Sequence, residues 1–559
     1  MIGVIAEPNE RDVVREFFEL FKTPWEWYRE DREYEVVLCA GESLFRGTAK
    51  LALFYAGTKI SADSNQAVTT CQGSQSRFLR YKGDRIPIYG NVVIFPGQES
   101  RCLKDEDSEE SAVYLRQSGR AAVVRVGYDL FGEIRKLLIQ GQPAANAKAP
   151  TLELHIALLR DLITEQGIRL IEIPPVPDGY PFIACLTHDV DHPSIRQHKW
   201  DHTVLGFLYR AVFGSVERLI SGRITVRDLF KNWTAALKLP FVQAGFGRDF
   251  WRDFDDRYLE LENGLHSTFF VIPFKDAAGK KSPGNGSENS APPFRAARYS
   301  ATELSDALRK LVSAGCEIGL HGIDAWCDSA RGGAELEEIR RLTGESKIGV
   351  RMHWLYYDQQ SPLMLERAEA AYDSTIGYNE TVGYRAGTTQ VYKPLGVSRL
   401  LELPLHVMDT AMFYPAHLGL STSKAKKILG QMVDNAFKHG GCLTVNWHDR
   451  SLAPERLWYA SYRDLVEDLK GRGVWFATAG QAVAWYKKRR SVVFDKDDTG
   501  TDKVCAGVLP SHNDGLPGLR LRIHKERKSR EIGAQGTENY FDLPVDESVN
   551  TKVLCGVNR

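Results

Sequence analysis

The stretch Leu186-Thr187-His188-Asp189-Val190-Asp191-His192 decides the reading of this 559-residue chain. The apolar run Phe182-Ile183-Ala184-Cys185-Leu186 leads into it, and a short apolar run bounded by turn residues reads as a buried strand. Two carboxylates and two imidazoles then fall at the strand's carboxyl end, where α/β proteins place their chemistry. Only Val190 separates Asp189 from Asp191, so extended backbone points both carboxylates to the same side. Carboxylates held that close repel and call for a metal ion or a shared proton. A lone D-x-D pair also occurs as a solvated turn, so the rest of the chain has to choose.

The same pattern recurs downstream. Strands are expected at 268–272, at 317–320 ending at His321, and at 348–352 ending at His353. Further strand-like runs are 382–384 leading to Arg385, 401–405 leading to His406 and Asp409, and 442–447 ending at His448. Helical patterns separate most of them, and repeated strand–helix units imply a parallel sheet, closed or nearly closed into a barrel. Each polar residue alone has an ordinary reading: His353 as a core imidazole beside Trp354, Arg385 as a structural ion pair, His448-Asp449 as a turn. Their joint placement at the ends of successive strands is the layout expected of a TIM-like active site.

These motifs carry a resemblance. From about Pro181 to Tyr486 the chain resembles NodB-type polysaccharide deacetylases, metal-dependent carbohydrate esterases built on an irregular (β/α) barrel. Thr187-His188-Asp189-Val190-Asp191 is similar to a D-x-D variant of the family's T-F-D-D motif. Ser267-Thr268-Phe269-Phe270-Val271 is similar to its A-T-F-F-V strand, and Gly319-Leu320-His321-Gly322 to the start of its H-x-x-x-H metal motif. Gly383-Tyr384-Arg385-Ala386-Gly387 is similar to its arginine motif, and Leu443-Thr444-Val445-Asn446-Trp447-His448-Asp449 to its final L-x-H-D strand. The resemblance implies that Asp189 is the general base, Arg385 its orienting partner, His448 the general acid and Asp409 an acidic partner. It implies Asp191 and His321 as metal ligands.

Two departures stand out. The family's second metal histidine falls at Ala325, and its R-x-P-Y sequence reads Arg385-Ala386-Gly387-Thr388 here. A catalytic zinc site usually has three protein ligands plus water. His353 and Asp324 are the two candidates for the third; His353 is preferred, because an imidazole then replaces an imidazole at a neighbouring strand end. The expected cofactor is a divalent metal, Zn²⁺ first, and the expected substrate an N-acetylated sugar in a glycan or a nucleotide- or lipid-linked precursor. Hydrolysis of a non-sugar amide or ureide C–N bond, and a non-catalytic glycan-binding module, stay open as alternatives.

The flanks say less. Residues 1–175 read as an accessory α/β domain with strands at 35–39, 91–95 and 121–126 and a helix capped by Thr151. The barrel domain is expected over 176–492, with a helix-rich insertion at 193–264. Amphipathic segments there suit covering a cleft, docking on a domain or lying on a membrane, of which the first two are the more ordinary. Residues 275–293 read as a loop and 493–559 as a small β-rich tail. Lys+Arg and Asp+Glu are both 72, which gives no global nucleic-acid footprint. The start of the chain lacks a basic n-region and no apolar run is long enough for a bilayer, so the cytoplasm is the expected location.

Overall fold

The computed structural model describes all residues except 43–44, 46, 62, 64–70, 73–76, 98–102, 120, 200, 223, 278, 280–296, 497–502, 509–514, 526–539, 546–550 and 555–559. The loop expected at 275–293 therefore lies mostly outside the described residues, as does much of the tail. Two compact units emerge: Met1–Gly179 with Tyr384–Gly396 and Ala484–Arg559, and Tyr180–Gly383 with Val397–Val483.

In the first unit, strands β1 (Ile2–Ile5), β2 (Trp25–Trp27), β3 (Tyr34–Ala40), β4 (Ala49–Tyr55), β5 (Val113–Ser118) and β6 (Ala121–Val126) form one sheet. Its order is β5-β6-β4-β3-β1-β2, parallel except for the β5/β6 hairpin. Helices α1 (Arg11–Phe21), α2 (Leu130–Ile139) and α3 (Thr151–Thr164) belong to the same unit. The expected strand at 91–95 is reduced to Val93–Ile94, which pairs with Cys71–Gln72 outside this sheet. Thr151 is the first residue of α3 and not its cap, because its hydroxyl donates to Gln142 Oε1 at 2.7 Å. Tail strand Arg520–His524 pairs antiparallel with Leu170–Glu172, where buried Glu172 meets Arg160 and His524.

The second unit holds the opening stretch. Strands β7 (Ile183–Val190), β8 (Thr268–Val271), β9 (Glu317–Gly322), β10 (Val350–Met352), β11 (Val407–Met408), β12 (Cys442–Asn446) and β13 (Trp475–Phe476) make a seven-stranded sheet. The order is β10-β9-β8-β7-β12-β11, and every pairing is parallel. All eight residues of β7 are buried, as a central strand covered on both faces requires. One edge of β7 pairs with β12 over residues 183–187; its other edge takes β13 at Ile183–Ala184 and β8 at Thr187–Val190.

Beyond β10 the ladder continues through single parallel bridges, Val350 with Asp373 and Asp373 with Glu402. Leu403 N donates to Asp373 O at 2.8 Å and Leu405 N to Ile376 O at 2.9 Å. The expected strand at 401–405 is thus only bridged, since Pro404 within it has no N–H to give. The same segment enters β11, which pairs with β12. Residues 382–384 form no strand.

The insertion folds as α4 (His202–Ile220), α5 (Val226–Gln243) and α6 (Phe254–Glu262). Val204, Phe207 and Ala211 of α4 and Ala235, Leu239 and Val242 of α5 form one apolar cluster with Ile195, Trp251 and Ala453.

Candidate active site

The pleat of β7 sets the site. Asp189 is buried, and each of its oxygens has a partner. Arg351 Nη1 donates to Oδ1 at 3.0 Å, and Asn446 Nδ2 donates to Oδ2 at 2.7 Å. The Asn446 side-chain oxygen in turn accepts from Asp189 N at 3.1 Å, so this amide grips both backbone and side chain. Arg351 is itself fully buried and fixed from several directions. It donates to Thr187 Oγ1 (2.6 Å), Ser374 O (3.0 Å) and Ser374 Oγ (2.9 Å). A planar guanidinium pinned this way presents the carboxylate at one angle, which a lysine could not do.

Two residues on, Asp191 meets the imidazoles. Its Oδ1 lies 3.2 Å from His321 Nε2 and 3.4 Å from His353 Nδ1, and those two nitrogens are 2.9 Å apart. Asp191 Oδ1 is buried and accepts no hydrogen bond of good geometry among the described residues. His321 Nδ1 contacts the carbonyl of Arg351 at 3.0 Å, the outer contact that turns the other nitrogen of a metal-binding histidine inward. One carboxylate and two imidazole nitrogens suit zinc, and tetrahedral ligands at about 2.0–2.1 Å stand about 3.3 Å from one another. The observed separations are close to that edge, and these three residues group as a possible metal site. The donor set fits a divalent ion.

His448 completes the cluster. Its Nδ1 pairs with Asp409 Oδ1 at 2.6 Å, its backbone N donates to Asp409 Oδ2 at 2.8 Å, and its Nε2 is 3.7 Å from Asp191 Oδ2. Tyr258 Oη donates to the His448 carbonyl at 2.7 Å, which fixes the chain at the end of β12. Burial would lower the His448 pKa, but Asp409, with Asp191 and Asp189, outweighs it and raises it to about 10. Burial likewise opposes ionisation of Asp191, yet His353, His321 and His448 hold it well below the usual carboxylate range. Asp449, buried near Asp191, is raised to about 7 while accepting from His192 N at 2.8 Å.

The structure distributes the sequence candidates unevenly. Asp189, Asp191, His321, His353, Asp409 and His448 come together. The guanidinium on Asp189 is that of Arg351, whereas Arg385 falls in the first unit, its carbonyl accepting from Gln142 N at 2.7 Å. Asp324 pairs with Arg331 at 2.6 Å and is not among the grouped ligands. Ala325 is fully buried against helix Ser329–Thr343; a Cβ on Gly332 would stand 3.0 Å from its own. His188 bridges Trp447 O and Glu262 Oε1, both at 2.8 Å, as a buried structural tie. Arg351 and Asn446 are the residues sequence reading passed over. Their signal was a charged and an amide side chain inside short apolar strands, where a buried polar group needs a partner.

No family model matches the chain, and no curated protein matches it. Similar solved structures include a Mycobacterium smegmatis protein described as a polysaccharide deacetylase, 17% identical with TM-score 0.35 over 56% of this chain and 95% of that one. A Pseudomonas aeruginosa PAO1 protein of the same description is 13% identical with TM-score 0.33, over 55% and 92%. The peptidoglycan deacetylase PdaC of Bacillus subtilis is 11% identical with TM-score 0.27, over 57% and 96%. Likenesses at this level carry no weight for the activity, which has to be argued from the residues.

Proposed function

We propose that the second unit is a metal-dependent hydrolase that removes an N-acyl group, acetyl first, from a sugar of a polysaccharide or glycan precursor. The fold we assign to it is an irregular (β/α) barrel of the NodB-homology type, with the bridged segments 373–376 and 401–408 completing the sheet. The observation that carries the reading is one cluster holding a possible metal trio, a clamped carboxylate and a charged imidazole.

Asp191, His321 and His353 would hold the ion. A divalent metal such as Zn²⁺, when bound, lowers the pKa of water to about 7 and polarises a carbonyl oxygen. Asp189 acts as the base that takes the water's proton, and Arg351 and Asn446 keep its two oxygens aimed. His448, protonated at neutral pH because of Asp409, donates its Nε2 proton to the departing amine nitrogen. Binding alone requires neither a clamped base nor a protonated acid, which favours hydrolysis over a passive glycan module.

The test is metal analysis of the purified protein followed by acetate release from N-acetylated oligosaccharides. Bound metal with release supports the reading. Metal with release only from non-sugar amides would point to a different C–N hydrolase, and neither metal nor release would leave a binding module.

A further inference from the structure

Helices α4 and α5 each carry two apolar stripes. The inner stripes are buried in the cluster around Trp251. The outer ones recur at the same helical spacing: 205, 209, 213, 216 and 220 on α4, and 226, 230, 233, 237 and 241 on α5. Their side chains are large and open to solvent, with Phe213 70%, Ile220 83%, Leu237 75% and Phe241 65% exposed. A helix apolar on two sides is ordinarily covered on both. An exposed apolar surface of this length marks an interaction site.

Charge says what covers it. Residues 202–246 hold six Lys and Arg against two Asp and Glu, in a chain that is neutral overall. On α5 the exposed cations Arg227, Lys231 and Lys238 each follow directly on an exposed apolar residue, Val226, Phe230 and Leu237. The basic groups therefore flank the stripe. Asp228, the one acid on α5, closes a capping box with Thr225 and lies 3.5 Å from Lys231 Nζ, which leaves Arg227 and Lys238 beside the stripe without an acid of their own helix at hand. Pairing of this surface with its own copy would bring like charges together, whereas a layer of anionic headgroups over apolar chains matches it on both counts. Aromatic residues such as Trp233 and Phe230 suit that boundary. Neither helix is apolar enough to span a bilayer.

We propose that the α4–α5 hairpin lies on an anionic bilayer surface and binds the protein peripherally to it. The hairpin packs on Ile195 and Ala453, which follow closely on Asp191 and His448 in sequence. Membrane docking thus places the site of the proposed hydrolase beside the lipid surface, where a lipid-linked glycan is presented. This last step rests on that proposed activity; the docking itself does not.

The experiment is co-sedimentation of the full chain with vesicles of phosphatidylcholine alone and of phosphatidylcholine with 30% phosphatidylglycerol, the latter fraction chosen as a roughly physiological anionic content. Expected is binding to the anionic vesicles that falls at least about tenfold in F213S/L237S and in K231E/K238E, and that weakens with salt. These side chains are exposed, and circular dichroism of each variant verifies the fold. Absence of vesicle binding, binding unaffected by both variants, or a dimer in sedimentation velocity that F213S/L237S dissolves would each overturn the proposal. Deacetylation of soluble oligosaccharides, measured on the same variants, reports the proposed activity separately.

Discussion

At the scale of single residues, the division of labour between Asp189 and Asp191 makes distinguishable predictions. Asp189→Asn keeps the shape but offers one acceptor oxygen to two donors, Arg351 and Asn446, and removes the proton acceptor. Turnover is expected to fall by about 10²–10⁴-fold with metal content unchanged, measured by acetate release and elemental analysis on the same sample. His353→Ala should do the reverse first: metal affinity drops at least about tenfold in a chelator competition, whatever the substrate. Retention of full affinity would remove His353 from the ligand set. Arg351→Met leaves Asp189 buried without its guanidinium, and losing one member of a buried pair costs about 3–5 kcal/mol. That variant should show its defect in denaturant unfolding as well as in rate.

At the scale of elements, much of the site was legible because strand ends are easy to read and strand interiors are not. Asp189/Asp191, His321, His353 and His448 sit where an apolar run stops, and the run itself announces them. Arg351 sits inside β10, and Asn446 ends β12 but falls inside the apolar run expected at 442–447; one polar residue there looks like noise until the facing strand is known. Arg385 is the opposite case: its motif is similar to the family's, but the strand expected to lead into it does not form. Position 325, where the resemblance implies a second metal histidine, is closed by packing. Ala325 abuts Gly332 of helix Ser329–Thr343, so a larger side chain would have to displace that helix or find another way out. Ala325→His is therefore expected to destabilise the unit by about 1–3 kcal/mol in urea unfolding, not to improve metal binding. A gain in metal affinity at unchanged stability would show that the position still opens on the site.

At the scale of the whole molecule, pH acts on the first unit through its own buried groups. His155 of α3 is completely buried, with Tyr128 Oη 2.9 Å from its Nδ1 and no partner for Nε2 among the described residues. Burial lowers its pKa from 6.5 to about 3. The unfolded chain therefore binds a proton between pH 6.5 and 3 that the folded chain refuses, so stability is lost as pH falls through that window. One pKa unit corresponds to about 1.4 kcal/mol, and the share expected between pH 6.5 and 5 is about 1.5 kcal/mol. Glu133 and Glu153 work in the opposite sense. Burial raises each from 4.5 to about 7, so the folded state holds their protons longer and gains stability as pH drops from 7 towards 4.5. The raw pH profile of unfolding mixes all three, but a difference between variants does not. His155→Phe keeps an apolar ring in the site and removes only the imidazole's titration. Its unfolding free energy should fall less than the wild type's between pH 6.5 and 5, by about 1.5 kcal/mol, whatever constant offset the lost Tyr128 contact adds. Parallel profiles for the two proteins would mean that His155 is protonated in the folded chain and that α3 opens to water around it.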